Sequence, residues 1–375
     1  MPTVIAIEAK PVEFEGIDTG FLHLYLVKTV MDEQGRVVSE KVIRGTAGSN
    51  GDLETLVDAN LATSIDRRGS DTPEERHREV LDLGTRDAND VWKIMVQHAN
   101  NIEKADLDYS IDIIREAPGG DLNSNSVVAS VLHSVGLNLS TSFPDDVSRS
   151  DAPLYGQLQY MYVDDALFGT ANNDRIMGGV GNDRLYGGHG NDRLYGEDGD
   201  DRIHASNGND ALYGGNGNDR LEGRAGNDVL YGNSDNDRLY GSSGDDYLSG
   251  GSGNDYLYGE AGADIFHGGA GKDVFVYNAV PDSLEGVDRI RDFSVADDTF
   301  WLNNRAFTGL GSEGRLKSGV FRTSEEARDS TDRILYDRDN GVLYYDADGT
   351  GASEQLAFAK LSAGLRITSL DFQII

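Results

Sequence analysis

Cysteine is absent from the 375 residues, proline occurs only seven times, and 33 Lys and Arg face 65 Asp and Glu. Each shortage excludes something. Without cysteine there is no disulfide, no thiolate-bound zinc, no iron–sulfur cluster and no cysteine nucleophile; a thiol-free chain also suits an oxidising compartment. The net charge of −32 repels DNA, RNA and anionic membranes and favours cations. No run approaches the ~18 consecutive apolar residues of a membrane-spanning helix. The opening MPTVIAIEAKPVEFEG lacks the basic-then-apolar order of a cleaved secretory leader. Cytoplasmic residence is the default expectation, with export by a route that does not read the N-terminus as its competitor. What is present suffices for folded cores: 38% of residues are hydrophobic, too many for wholesale disorder. The length suggests two or three domains at ~150 residues each.

Periodicity dominates the middle of the chain. Aspartate recurs every nine residues at Asp174, Asp183, Asp192, Asp201, Asp210, Asp219, Asp228, Asp237, Asp246, Asp255, Asp264 and Asp273. Two residues after each stands an apolar side chain, from Ile176 and Leu185 through to Phe266 and Phe275. Glycine precedes most of the aspartates by two positions. The unit reads most clearly in GGVGNDRLY, residues 178 to 186. Its glycine-rich half can take the positive φ of a tight turn and aim carbonyls inward. Its x-L-x half is extended and sends one apolar side chain to one face. Two units therefore close an 18-residue coil, and stacked coils form parallel ladders ~4.8 Å apart. The repeat holds 21 acids and eight bases between residues 164 and 277, so most of the negative charge lies outside it and the repeat supplies its arrangement.

Stacking places equivalent aspartates on neighbouring coils of one edge. Carboxylates ~5 Å apart repel by nearly 1 kcal/mol even in water, which a hard divalent ion would relieve. Calcium takes six to eight oxygen ligands and tolerates irregular geometry, whereas magnesium demands a strict octahedron. The expected ligands are the twelve aspartates with the turn glycines Gly178, Gly181, Gly187, Gly190, Gly214, Gly217, Gly250, Gly253, Gly268 and Gly271. Aspartates paired 18 apart allow at most ten sandwiched ions.

The nonapeptide resembles the G-G-x-G-x-D-x-U-x unit of the repeats-in-toxin (RTX) family, where U is apolar. The resemblance covers about residues 164 to 280 and implies a Ca2+-stabilised parallel β-roll, secretion to the extracellular space and a type I secretion apparatus as partner. Asn172 and Asp235 replace the glycine two before the aspartate, and Ala205-Ser206-Asn207 replaces Gly-Gly-x. These departures set the sites around Asp174, Asp210 and Asp237 apart.

Residues 281 to 375 lose the repeat but look folded: DRIRDF, DTFWLN, DRILYD and GVLYYDADG read as short strands, with a hairpin turn at Asn340-Gly341. This segment is expected to cap the open edge of the roll. The final LDFQII resembles the uncleaved export tail of type I-secreted RTX proteins; it also reads as a last strand. Asp346-Ala347-Asp348-Gly349 resembles the opening of an EF-hand loop, but Glu354 comes too soon, so a solvated turn is expected.

Residues 1 to 160 read as an α+β domain. FLHLYLVKTV alternates as a strand, VVSEKVIR pairs with it across Glu33-Gln34-Gly35, one helix spans about 90 to 104 and another starts near Asn123. His23 lies mid-strand and Ser124 opens the second helix. The pair resembles permuted papain-like hydrolases of the lecithin:retinol acyltransferase type, in which a histidine strand precedes an N-C-x-x-F-V helix. Asn123-Ser124-Asn125-Ser126-Val127-Val128 aligns Ser124 with the cysteine, implying His23 and Ser124 as catalytic residues. A hydroxyl ionises far less readily than a thiol, and the competing account makes His23 a core histidine and the serines helix caps. His98 and His133 are expected to be packing or surface residues. Neither H-E-x-x-H nor G-x-S-x-G occurs, which excludes the corresponding zinc proteases and lipases. The architecture expected is thus an α+β domain (1–160), a calcium-binding β-roll (164–280) and a β-rich C-terminal cap (281–375). The first domain would be a binding module for a cell surface, glycan or host protein, or else a hydrolase or acyltransferase.

Overall fold

The computed structural model of the chain describes residues 3–14, 17–34, 36–47, 53–60, 77–83, 85–104, 131–135, 164–280 and 286–375. Two units divide it, Met1–Leu185 and Tyr186–Ile375. In the first, alternating apolar residues build strands β1 (Thr3–Phe14), β2 (Ile17–Met31), β3 (Val37–Ala47), β4 (Leu53–Asn60) and β5 (His77–Val80). They form one sheet in the order β4-β3-β2-β1-β5, with every pairing antiparallel. The β2–β3 turn is held by Asp32, whose Oδ1 accepts the N–H groups of Gln34 and Arg36 at 2.9 Å each, the local carboxylate bonding that favours Asp in turns. Adjacent Leu26 and Val27 are both fully buried, so β2 is covered on both faces at that point.

The single long helix described, α1 (Ala88–Lys104), begins where Asp87 Oδ1 accepts the N–H of Asn89 at 2.9 Å and of Asp90 at 3.2 Å, an N-cap. Val91, Ile94, Met95, His98 and Ala99 bury one face at helical spacing. Of the second expected helix, residues 131–134 are helical with Val131, Leu132 and Val135 buried; its start at Asn123 lies outside the described residues. The same unit contains β6 (Ala166–Phe168) and β7 (Arg175–Val180).

The repeat becomes a parallel β-solenoid of about six turns over residues 166–275. Its strands follow at nine-residue spacing: β8 (Arg184–His189), β9 (Arg193–Asp198), β10 (Arg202–Asn207), β11 (Ala211–Asn216), β12 (Arg220–Ala225), β13 (Val229–Ser234), β14 (Arg238–Ser243), β15 (Tyr247–Ser252), β16 (Tyr256–Ala261), β17 (Ile265–Ala270) and β18 (Val274–Tyr277). Alternate strands pair. Leu194, Leu212, Leu230, Leu248 and Phe266 align in one sheet, and Ile203, Leu221, Leu239, Leu257 and Phe275 in the other. All ten are at most 1% exposed, so each unit's one apolar side chain is its contribution to the core. Identical residues also stack outside, with the rings of Tyr195, Tyr213 and Tyr231 4.7 and 5.2 Å apart.

The turns hold their shape even where glycine is missing. Ser206 has φ 98° and Asp235 φ 73°, two of the places where the glycine pattern lapses, and Glu197, Arg224, Asn233, Ser242 and Glu260 are also left-handed. Each costs ~1–2 kcal/mol intrinsically, so stacking on neighbouring coils overrides local preference there. At Gly215, with φ 129°, an added β-carbon would strike the Glu197 carbonyl, so a side chain there needs the backbone to shift.

The C-terminal segment continues both sheets. Strand β19 (Asp288–Ile290) pairs parallel with β17 and β20 (Thr299–Leu302) with β18. Beyond them come β21 (Gly314–Arg315), β22 (Phe321–Arg322), the hairpin β23 (Ile334–Asp337) and β24 (Val342–Tyr345), β25 (Leu356–Lys360) and β26 (Phe372–Ile374). The hairpin turns at Asn340-Gly341, where Gly341 has φ 77° and its N–H bonds the Asp337 carbonyl at 2.7 Å. The LDFQII tail supplies β26, parallel to β20. The sheets end on β21 and β22, two residues each, and edges that short offer little to another chain. Phe293, Phe300 and Phe372 stack beneath, with ring centres 4.7 and 5.0 Å apart. Leu230→Ala is expected to cost the calcium-loaded chain about 2–5 kcal/mol by cavity formation, and Arg202→Ala within about 0.5 kcal/mol, as measured by urea denaturation.

Candidate metal centre

Each repeat aspartate stands just before a strand, and from Asp210 onward its carboxylate is locked by the coil before it. Asp210 Oδ1 accepts the peptide N–H of Asp192 at 2.7 Å, Asp219 that of Asp201 at 2.8 Å, Asp228 that of Asp210 at 2.8 Å and Asp237 that of Asp219 at 2.8 Å. The pattern runs on through Asp246, Asp255, Asp264 and Asp273 at 2.7 to 3.1 Å. With Oδ1 fixed, Oδ2 is aimed elsewhere. From Asp210 to Asp273 all eight Oδ2 atoms are buried and have no hydrogen-bond partner among the described residues. A buried acceptor left unsatisfied costs about 1–3 kcal/mol, more when charged, and eight in a row call for a counterion.

The surroundings are oxygen-lined and of cation size. The place a β-carbon would take on Gly232 lies against Asp237 Oδ2 and 2.6 Å from the Gly250 carbonyl oxygen. Gly214 faces Asp219 Oδ2 with the Gly232 carbonyl at 2.7 Å, and Gly250 faces Asp255 Oδ2 with the Gly268 carbonyl at 2.7 Å. Gly187 and Gly268 likewise face Asp192 and Asp273. Calcium–oxygen bonds measure 2.3–2.6 Å, so glycine's missing side chain leaves a hollow that a hard cation fits. Gly181, Gly190, Gly217, Gly253 and Gly271 sit instead at the left-handed turn position, with φ between 113° and 144°. Gly178 is buried within β7. No three His, Asp or Glu side chains converge among the described residues. A metal would therefore be held by carboxylate oxygens together with backbone carbonyls, an all-oxygen set that suits calcium and not zinc.

Burial penalises the ionised carboxyls. Asp219 is pushed up to about 7, Asp237 and Asp246 to about 8, and Asp228, Asp255, Asp264 and Asp273 to about 6, with desolvation the largest cause throughout. The peptide N–H bond on Oδ1 works in the opposite direction. The metal-free roll thus binds protons more tightly than the unfolded chain, whose carboxyls titrate near 3.8. The contribution of these carboxyls to its stability is fully present below that value and is lost as pH rises through about 8.

The end rungs differ. Asp174 Oδ2 accepts the N–H and hydroxyl of Thr170 at 2.6 and 2.9 Å. Asp210 and Asp237, set apart by their sequence context, have the same bonding as their neighbours. Several rung residues carry no clear repeat signal. Asp288 and Asp298 accept the N–H groups of Asp264 and Asp273, at spacings of 24 and 25 residues. Asp165 continues the nine-residue register one step earlier than Asp174, a signal the glycine pattern hides. The asparagine that precedes most of the aspartates forms a second ladder outside, as in Asn227 N–H to Asn209 Oδ1 at 2.9 Å.

Elsewhere, Ser124 lies outside the described residues, and His23 is placed only as a backbone position in β2 opposite Lys10. His98 is buried against Asp165. His133 lies half-buried in the helical residues 131–134. Asp346 Oδ1 accepts the N–H of Gly349 at 2.7 Å, and Asp348 Oδ2 those of Ala352 and Ser353 at 3.0 and 3.1 Å, so that loop's carboxylates bind their own backbone.

The family model of the RTX calcium-binding nonapeptide repeat matches residues 168–203, 190–221, 204–239, 213–248 and 240–275. No curated protein matches the sequence. Among solved structures, a subunit of the mannuronan C5-epimerase of Azotobacter vinelandii is 20% identical, covering 56% of this chain and 77% of its own, with a TM-score of 0.18. The extracellular lipase LipA of Serratia marcescens is 13% identical, covering 98% and 82%, with a TM-score of 0.15. At these TM-scores neither bears on fold or activity.

Gly232→Ala puts a methyl group into the hollow at Asp237; calorimetric titration is expected to show fewer bound calcium ions than in the unsubstituted chain. Calcium affinity should fall steadily from pH 8 to pH 5 as protons compete for Asp219, Asp237 and Asp246, whose values lie at about 7 and 8. Affinity flat across that range would show that these carboxyls are not ligands. The matched segments and the oxygen-lined ladder make residues 168–275 an array of RTX calcium-binding nonapeptide repeats, which indicates that the protein binds Ca2+.

Proposed function

We propose that this is a secreted calcium-binding RTX protein whose roll folds on meeting extracellular Ca2+. The observation that carries the reading is the row of eight buried, unpartnered Oδ2 atoms from Asp210 to Asp273. Each faces a glycine hollow or lies in register with one that does. Without a cation, ionising them in place is costly, so an unfolded chain in low calcium is favoured. In high calcium the ion supplies the charge that makes the folded ladder the lower state. The repeat aspartates from Asp183 to Asp273 and the carbonyls of the turn glycines are the ligands in this account, with Asp174, whose carboxylate Thr170 holds, left out.

Export fits the same switch. In the folded protein Phe372 and Ile374 of the LDFQII tail are buried to 0% and 1% exposure, so a type I apparatus would have to read the tail before folding, as a low-calcium compartment permits. The division into an α+β domain (1–160), roll (164–280) and C-terminal cap (281–375) belongs to this reading. The first part would act as an effector or binding module outside the cell. No helix among the described residues is long and apolar enough to cross a membrane.

Circular dichroism and hydrogen exchange of the full chain test the switch. In chelator, amides of residues 186–275 are expected to exchange rapidly and β signal to be low; millimolar Ca2+ should restore both, and Mg2+ should not. Equal protection in chelator and in calcium would overturn the reading.

A further inference from the structure

The first rung of the ladder is built like the others but completed by protein. Asp165 lies 18 residues before Asp183. Its N–H donates to Asp183 Oδ1 at 2.6 Å, and its carbonyl accepts the N–H of Arg184 at 2.8 Å. The interior repeats the same two bonds, as in Asp192 N–H to Asp210 Oδ1 at 2.7 Å and Ala211 N–H to the Asp192 carbonyl at 2.9 Å. The carboxylate of Asp165 is different. Its Oδ2 meets His98 Nδ1, and its Oδ1 accepts Asn101 Nδ2 at 3.0 Å. His98 and Asp165 are 2% and 1% exposed, so the pair is sealed from water.

Helix α1 makes further contacts with the same coil. Gln97 Nε2 donates to the Phe168 carbonyl at 3.0 Å while its Oε1 accepts the Phe168 N–H at 2.7 Å. One side-chain amide thus gives β6 the paired bonds that the peptide of an adjoining strand would give. Asp90 accepts Asn172 Nδ2 at 2.8 Å. Asp90, Gln97, His98 and Asn101 are spaced so that they share one side of the helix. Each of these polar bonds depends on having its partner in place.

We propose that, at the first rung, His98 takes the place that a cation takes at interior rungs and Asn101 that of the preceding peptide N–H, so that α1 docks only while the first coil is formed. Because the coil forms with calcium, binding of the ion then orders α1 as well as the roll; this step rests on the reading that calcium folds the roll. His98 is here a positioning residue, acting through Asp165. The calcium array accordingly starts after Asp165, and the N-terminal unit senses its loading.

The test uses the full chain carrying Trp301→Phe, which leaves Trp92, 3% exposed in α1, as the single tryptophan. Adding calcium chloride after chelation should raise the β signal and, at the same midpoint, shift Trp92 emission to the blue and reduce acrylamide quenching several-fold. With His98→Ala the circular-dichroism transition should persist while Trp92 stays as quenchable as in chelator. His98→Asn, which keeps a donor, should recover part of the shielding, and a His98→Asn chain no better than His98→Ala counts against the proposal. If the parent's β signal ignores calcium, the folding reading fails. If the β signal responds but Trp92 is equally shielded with and without calcium, or His98→Ala leaves its shielding calcium-driven, the coupling alone fails. Hydrogen exchange across residues 88–104 in the unsubstituted chain decides the matter should His98→Ala not fold: protection independent of calcium overturns the proposal.

Discussion

The peptide N–H of one repeat aspartate bonds the carboxylate of the next aspartate on the same edge, and the rest of the roll follows from that bond. It sets the coil spacing, since a carboxylate can reach the preceding rung only at the separation of parallel strands. It fixes the aspartate rotamer, because one oxygen is committed. It also decides where the other oxygen points: inward, toward the hollow beside a glycine, as Asp237 Oδ2 points to Gly232. A rung that lost the bond would free its carboxylate to turn to solvent, and the hollow would lose its charged ligand. Calcium binding and coil stacking are therefore two uses of one side chain.

Burial gives this arrangement its sign. An exposed aspartate ladder would be a mild repulsive nuisance screened by salt. Sealed to 1% exposure or less, the same carboxyls resist ionisation strongly enough that protons and calcium compete for them. The chain resolves the conflict differently at its ends, where Thr170 and Ser294 provide donors to Asp174 and Asp298. The interior consequently has oxygen atoms open to a cation, and the termini of the ladder do not.

Much of the roll was legible because its information is periodic. Aspartate at nine-residue spacing with an apolar residue two later specifies turn, strand, inward face and ladder partner at once, and Leu194, Leu212 and Leu230 lie where that pattern puts them. What escaped was whatever broke the period. Asp288 and Asp298 occupy rungs after longer coils, and nothing local distinguishes them from other acidic strand residues. Substituted turns such as Ser206 and Asp235 looked like defects because glycine preference is local, whereas their left-handed conformation is imposed by the stack. His98 offered no signal either, since its partner Asp165 is 67 residues away. The His23 and Ser124 pair stays a reading of short motifs, for Ser124 falls outside the described residues.

Alternation of successive repeats between two sheets makes the length of the roll come in quanta. Removing 18 residues deletes a full coil and leaves every later strand on its own sheet. Removing nine would turn all that follows by half a revolution, so that β19 and β20 would each meet the wrong ladder and the aromatic layer beneath them would face the other side. Growth or shrinkage of such a protein by repeat duplication is thus tolerated in pairs of nonapeptides, and a single-repeat change acts on the C-terminal segment as a frameshift acts on a reading frame.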